Sequence, residues 1–522
     1  MSFITRKFLK QGLLLLLILS MILSCSCKKK AHDSMNYNEA LPRQVAAGKS
    51  VAESNADSIW NEGYNSEQYE RYVENKYVNV DEAPVSTFSI DVDTASYSNI
   101  RRFIQSGQKP PADAVRIEEM INYFKYDYPQ PDGQAPFSIT TEIAACPWNP
   151  GNYLALIGLQ GQNMSSEQLP PGNIVFLIDV SGSMNSANKL PLLKSAFKLL
   201  VEQMNSNDRV SIVTYAGSAG LVLDSTPGSE KSKILDAIDS LNAGGSTAGA
   251  AGINLAYKIA EENFIESGNN RVILATDGDF NVGISSDDEL VKLIEEKRDK
   301  GIFLTVLGFG MGNLKDSKME KLADKGNGNY AYIDSLNEAK KVLVNEIGGT
   351  LFTIAKDVKI QVEFNPDIVK QYRLIGYENR MLSKEDFDDD TKDAGELGAG
   401  HSVTALYEIV LKDVNGTDKI AKNQKGFMTV NLRYKKPDAN ESTLITKTVG
   451  TEDLLGEMSN NMKFASAVAE FGMLMKDSQY KGNSSFTNVL ELAKAGKGHD
   501  LEGYREEFIQ LVQKALQLYS NN

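Results

Sequence analysis

Apolar residues change their spacing several times along this chain, and each change marks a different kind of structure. Between about residues 170 and 348, unbroken apolar runs alternate with amphipathic stretches. Ile174 to Ile178, Val210 to Tyr215, Val272 to Ala275 and Ile302 to Leu307 are continuous, as strands covered on both faces must be. Between the first two, Leu193, Ala196, Phe197, Leu200, Val201 and Met204 recur at helical spacing. A later helix shows both ends: Ser286 with Glu289 forms a capping box, Asp287 and Asp288 suit the positive end of the dipole, and Lys297, Arg298 and Gly301 close it. Alternating strand and helix predict an open, mainly parallel, doubly wound sheet, and the fold class is multidomain α/β.

The flanks follow other periods. Residues 85–169 predict a small α+β domain, with strands at Thr87 to Ile90 and Leu154 to Ile157 and a helix carrying Ile117, Met120, Ile121 and Phe124. Its Asp91-Val92-Asp93-Thr94-Ala95-Ser96 is read as a solvated turn capping the next helix, in preference to an oxygen-rich cation loop. Residues 349–450 alternate, as in Val358 to Val362 and Phe427 to Leu432, and predict a β-sandwich-like unit; the acidic run Glu385 to Glu396 within it is read as solvated charge. Residues 451–522 are predicted helical, with Tyr504, Phe508, Leu511, Val512, Ala515 and Tyr519 as a core-facing stripe.

The N-terminus needs separate treatment. Arg6, Lys7 and Lys10 precede the apolar run Leu13 to Leu23, which is short for a spanning helix and suits a signal peptide over 1–24. Ile22-Leu23-Ser24-Cys25 then resembles a bacterial lipobox, which implies cleavage before Cys25 and lipidation of its thiol; an uncleaved anchor is the plainer alternative. Residues 25–84 open with Lys28-Lys29-Lys30, stay polar, and predict a tether. The expected location is the cell envelope, held to a membrane by the lipid.

Composition narrows the function. At 522 residues the chain exceeds one core, and its 42% hydrophobic and 24% charged residues are those of folded domains. A net charge of −14 opposes nucleic-acid binding, which needs clustered cations on phosphates. Of three cysteines, lipidation of Cys25 leaves Cys27 and Cys146, too few for a disulfide framework, and Cys146 lies among apolar residues as a buried packing group. Three histidines, His32, His401 and His499, form no cluster in sequence for zinc or acid–base work.

Oxygen-bearing side chains gather instead in three loops of the central domain: Asp179-Val180-Ser181-Gly182-Ser183, Gly244-Gly245-Ser246-Thr247-Ala248-Gly249, and Thr276-Asp277-Gly278. The first and third follow buried strands, and loops at the carboxyl ends of parallel strands converge on a ligand crevice. Asp-x-Ser-x-Ser, a distant Thr and a later Thr-Asp-Gly resemble the metal-ion-dependent adhesion site of von Willebrand type A domains. That resemblance implies a divalent cation held by Asp179, Ser181, Ser183, Thr247 and Asp277, with an open position for an acidic group of a protein partner. All five donors are hard oxygens, which points to Mg²⁺ first, with Ca²⁺ or Mn²⁺ as alternatives. Ser89 to Tyr97 and Tyr372 to Arg380 extend the resemblance to a bacterial lipoprotein subfamily with an extra N-terminal domain and a C-terminal helical region.

Three rival readings compete with this one. Gly308-Phe309-Gly310-Met311-Gly312-Asn313 resembles a dinucleotide loop, but Asn313 stands where the fingerprint needs Gly, so a tight turn is preferred and no nucleotide is expected. A metal-dependent hydrolase would use the same donors, yet Ser181 and Ser183 lack a nucleophile-elbow setting, and no enzyme activity is expected. A regulatory or assembly subunit of an envelope complex would use the same cation site as an adhesin.

Overall fold

The fold is described from a computed structural model covering residues 66–165, 168–245, 249–278, 280, 287–412 and 426–520. Cys25, Cys27, Thr247 and Ser286 lie outside the described residues, and so do the expected signal peptide and most of the expected tether.

Strands from both flanks pair with one another before any central element intervenes. The chain opens with β1 (Val78–Asn79), β2 (Val85–Ser89), α1 (Ala95–Gln105), α2 (Ile117–Asn122), β3 (Phe137–Ala145) and β4 (Tyr153–Gly161). The central domain follows as β5 (Gly172–Asp179), α3 (Leu190–Gln203), β6 (Arg209–Tyr215), β7 (Ala219–Pro227), α4 (Lys231–Ser240), α5 (Gly249–Glu262), β8 (Asn269–Thr276), α6 (Asp287–Asp299), β9 (Ile302–Phe309), α7 (Asp316–Lys325), β10 (Tyr330–Ile333), α8 (Leu336–Lys340) and α9 (Ile347–Leu351). The second flank supplies β11 (Thr353–Phe364), β12 (Val369–Ile375), β13 (Met381–Leu382), β14 (Gly395–Gly398), β15 (Ser402–Leu411), β16 (Met428–Lys435) and β17 (Thr443–Val449). Three helices end the chain: α10 (Asn460–Lys476), α11 (Phe486–Ala495) and α12 (Tyr504–Ser520).

One antiparallel sheet runs β1-β12-β15-β4-β3 and another runs β13-β2-β11-β16-β17, with β14 also on β11. Phe88, Ile360, Val362 and Val430 of the second sheet share one core with Ile157, Leu159, Tyr407 and Ile409 of the first. Side chains alternate across a strand, so Leu154 and Leu156 of β4 face the other way. There they meet α1, α2 and the terminal helices through Ile100, Met120, Phe464 and Phe508. The expected α+β domain over 85–169 and β-rich unit over 349–450 are therefore one sandwich with one helical layer, and the central domain is inserted between β4 and β11. The expected tether also ends earlier than drawn. From Ser66 the chain lies on the folded body, with Glu67 in an ion pair with Arg102 and Val80 1% exposed.

The central sheet runs β10-β9-β8-β5-β6-β7, parallel except for the β6–β7 pair. Ile174, Phe176 and Ile178 of β5 pack under α3 and α4, while Val175 and Leu177 pack under α5 on the opposite face. That is why these strands are apolar without interruption. Each fully buried Ile, Leu or Phe of this kind contributes roughly 1.5–3 kcal/mol, which fixes the strand order and with it the loops at the strand ends.

Three arginines, Arg101 and Arg116 buried and Arg380 partly buried, lock the inserted domain to the body. Arg101 of α1 donates to Asp334 at 2.5 and 2.8 Å and to Glu338 at 2.6 Å, and also reaches Glu507 of α12 at 3.0 Å. Arg116 donates to Asp316 at 2.6 Å and pairs with Glu119. Arg380 donates to Asp91 at 3.1 Å, Asp93 at 3.3 Å and Asp324 at 2.7 Å. Asp91 and Asp93 are 2% and 3% exposed, so the turn expected in solvent is buried, and the Thr94 side chain makes no capping bond to α1. The acidic run from Glu385 is tied down too: Lys359 donates to the carbonyls of Asp386 and Asp389, and Arg433 pairs with Asp388 and Asp390.

Two outcomes follow for stability. Arg380→Met strands three carboxylates in a buried junction and is expected to cost roughly 3–5 kcal/mol, read as a lower urea midpoint; an unchanged midpoint would show that the junction holds without it. Burial pushes the Glu470 carboxyl of α10 up to about 7, from an ordinary value of 4.5. A raised carboxyl contributes stability that is present below the ordinary value and lost as pH rises through the folded one. Glu470→Gln is therefore expected to melt with the unmodified chain near pH 5 and above it at about pH 8.5; equal melting temperatures at both would contradict this.

Candidate metal centre

β5 and β8 are parallel neighbours in register, Ile178 beside Ala275, although the chain visits β6 and β7 between them. The order therefore reverses at this pair, and a crevice opens beyond the carboxyl ends of the two strands. Asp179 closes β5, and Asp277 follows the last residue of β8. Both are 0% exposed, while Ser183 at the rim is exposed.

The first loop is drawn tight by its own side chains. The Ser181 N–H donates to Asp179 Oδ1 at 2.8 Å, and the Ser181 and Ser183 hydroxyls lie 3.0 Å apart. Asp179 Oδ2 accepts only long bonds, 3.4 Å each, from the hydroxyls of Tyr215 and Thr276. Charge-assisted O–H···O bonds are normally 2.5–2.7 Å, so these two hydroxyls of the described residues hold that oxygen loosely. The glycine-rich loop is stitched to the first: Gly244 N–H donates to the Val180 carbonyl at 2.7 Å, and Gly182 N–H to that of Gly245 at 3.0 Å. Those bonds end two residues before Thr247.

On the other side of the crevice, Lys189 donates to Asp277 Oδ2 at 2.7 Å and to Asn313 Oδ1 at 3.1 Å. Burial opposes ionisation of Asp277, but hydrogen bonds from Lys189, Ser183 and Asn313 outweigh it and hold the carboxyl below its usual range. Asp179 is moved the opposite way, to about 6, by burial first and the nearby Asp277 charge besides, against hydrogen bonds from Ser181 and Tyr215. Gly278 adopts φ +108°, and a Cβ there would stand 2.6 Å from the Asn313 carbonyl oxygen, so glycine lets the third loop press against the loop after β9.

Asp179, Ser181, Ser183 and Asp277 thus come together. Thr276 belongs to the third segment read from the sequence, whereas Lys189, Tyr215 and Asn313, which also bond the two carboxylates, were not assigned to the site; the Gly308 to Asn313 string was the one sequence signal near them. The donor set is chemically suited to a hard divalent ion: two carboxylates, hydroxyls and an open rim. A second carboxylate group, Asp91, Glu119 and Glu320, brings oxygens within 4.8 Å of one another, but Arg380 and Arg116 already occupy it as ion-pair partners.

A doubly wound sheet with these loops at its switch point defines a von Willebrand type A domain protein. Residues 173–345 match the family described as von Willebrand factor type A domain, 63–155 that described as von Willebrand factor, and 349–518 that described as Uncharacterized protein YfbK, C-terminal. The chain belongs to the YfbK family: it is 42% identical over 483 residues to Uncharacterized protein YfbK of Escherichia coli (strain K12), covering 89% of this chain and 83% of that protein. It is also 25% identical over 266 residues to Uncharacterized protein sll0103 of Synechocystis sp., covering 49% of this chain and 60% of that one. Among solved structures, von Willebrand factor type A from Catenulispora acidiphila is 16% identical, with 74% of this chain and 92% of that chain covered and a TM-score of 0.43. Type A domains generally mediate protein–protein binding.

Proposed function

We propose that this protein binds a divalent cation at Asp179, Ser181, Ser183, Thr247 and Asp277, Mg²⁺ before Ca²⁺ or Mn²⁺, and uses the ion to grip a carboxylate of a protein partner. The observation that carries the reading is the convergence of two buried carboxylates with the buried Ser181 and exposed Ser183 hydroxyls at the switch point of the sheet. Two carboxylates balance the charge of a divalent ion in number, and neutral hydroxyls fill other positions without adding charge. With the carboxylates acting through bound water, the ion would stay electrophilic toward an anionic oxygen. A lipid on Cys25 would hold the molecule to the cell envelope, where the partner is either a surface ligand or another component of an envelope complex.

Calorimetric titration of Mg²⁺, then Ca²⁺ and Mn²⁺, into the chain and into an Asp179→Ala, Ser181→Ala double variant tests the site. The expected result is about one ion per chain, lost in the variant; absence of binding at millimolar ion would end the metal-bridge reading. Capture of partners with and without chelator then separates an envelope complex from a surface ligand. For the anchor, Cys25→Ser is expected to move the protein from the membrane fraction to the soluble fraction. Continued membrane recovery of that variant would refute lipidation at this residue.

A further inference from the structure

Lys189 is the one cation placed by the described residues against the proposed metal donors. It immediately precedes α3, its side chain is 8% exposed, and its Nζ lies 2.7 Å from Asp277 Oδ2. The loop after β9 is shaped around it. Gly310 adopts φ +79°, and a Cβ there would lie 2.3 Å from Lys189 Cε and 2.5 Å from Cγ, so only glycine leaves a channel for the lysine stem. Three residues on, Asn313 Oδ1 accepts from the same ammonium at 3.1 Å. The string that looked like a dinucleotide loop is a cradle for a lysine.

An ammonium at this place changes the charge arithmetic. Asp179 and Asp277 together offer −2, and Lys189 returns +1, so a divalent ion meets a site one charge short of neutralising it. We propose that Lys189 is a resident counter-cation of the metal centre: it partners Asp277 when no divalent ion is bound, holds ion affinity down, and leaves a bound ion with charge for an acidic partner to complete. The inference rests on the cation reading above and adds a mechanism to it. Ion and partner carboxylate then bind as a coupled pair, each raising the affinity for the other, as linkage requires. A centre without the lysine would fill with metal irrespective of partner.

The test is calorimetric titration of MgCl₂ into the full chain and into Lys189→Met and Lys189→Gln, with thermal unfolding recorded with and without the ion. Methionine keeps much of the stem and removes the charge; glutamine keeps a neutral donor to Asp277. In Lys189→Met the expected result is Mg²⁺ binding at least about tenfold tighter, a lower melting temperature without metal, and a larger rise on adding it than the unmodified chain shows. Lys189→Gln is expected between the two, and it carries the test if the methionine variant does not fold. If the unmodified chain binds Mg²⁺ and both variants bind it no tighter, the counter-cation role is overturned while the metal reading stands. Should only the variants bind, the lysine is confirmed as the competitor, and the native chain is not a Mg²⁺ protein. If none binds although all fold, both readings fall.

Discussion

Arg101, Arg116 and Arg380 carry the junction on which the rest of the structure depends, because an inserted domain is only as well placed as the contacts at its base. Each guanidinium leaves the body and meets carboxylates of the insertion: Asp334 and Glu338, Asp316 and Glu320, Asp324 and Glu320. A rigid planar fork can serve several carboxylates at once, which the point charge of a lysine serves less well. Desolvating so many charges is costly, and the geometry offsets the cost only while every partner is present. Acidic groups outnumber the arginines here. Burial accordingly raises Asp93, Glu119 and Asp324 above the ordinary carboxylate range, and Glu320 to about 7. Such a junction specifies one docking geometry more than it adds stability, since shifting it would leave a charge buried alone.

That geometry reaches the metal centre through a short path. α7 presents Asp316, Glu320 and Asp324 to the arginines, and the loop just before it carries Asn313 beside Lys189. The same loop is held from its other side by the start of the described chain. Ser66 N–H donates to the Gly312 carbonyl at 2.7 Å, Gln68 N–H to that of Leu314 at 2.9 Å, and Gly312 N–H to Glu67 Oε1 at 2.8 Å. Glu67 is in turn gripped by both terminal nitrogens of Arg102 on α1, at 2.8 and 3.0 Å. One wall of the centre is thus fixed by the body and not by the inserted domain alone, which gives a physical reason for the flanks and the insertion to share a chain.

The central sheet was legible in the sequence because a strand buried on both faces has a composition of its own, and Val175, Phe176 and Leu177 show it. The strand-to-loop order that brings Asp179 beside Asp277 follows from the same pattern. Pairing between the flanks was not legible. A period of two identifies a strand without naming its neighbour, so nothing in Leu154 to Ile157 says that β15, some 250 residues on, lies beside it. Buried charge was misread for a related reason. Asp91, Asp93 and Glu67 look like solvent-facing residues until Arg380 and Arg102 arrive from elsewhere in the fold. Lys189 and Asp277 are likewise 88 positions apart, and no local pattern ties them.

The two carboxylates of the centre are held in opposite electrostatic settings, and the difference has a physical use. Asp277, fastened by Lys189, Asn313 and Ser183, is a fixed anion whose position is set before any ligand arrives. Among the described residues, Asp179 accepts from Ser181 and, at 3.4 Å each, from the hydroxyls of Tyr215 and Thr276, and burial first, with the Asp277 charge besides, raises it to about 6. A divalent ion would supply positive charge that the described residues place beside Asp277 and not beside Asp179. On the proposed reading, the gain from an ion falls on the Asp179 side, next to the exposed rim at Ser183. Under the proposed function, an anion held in place at Asp277 and an exposed rim at Ser183 suit presentation of an ion to another molecule better than its storage for the stability of the fold.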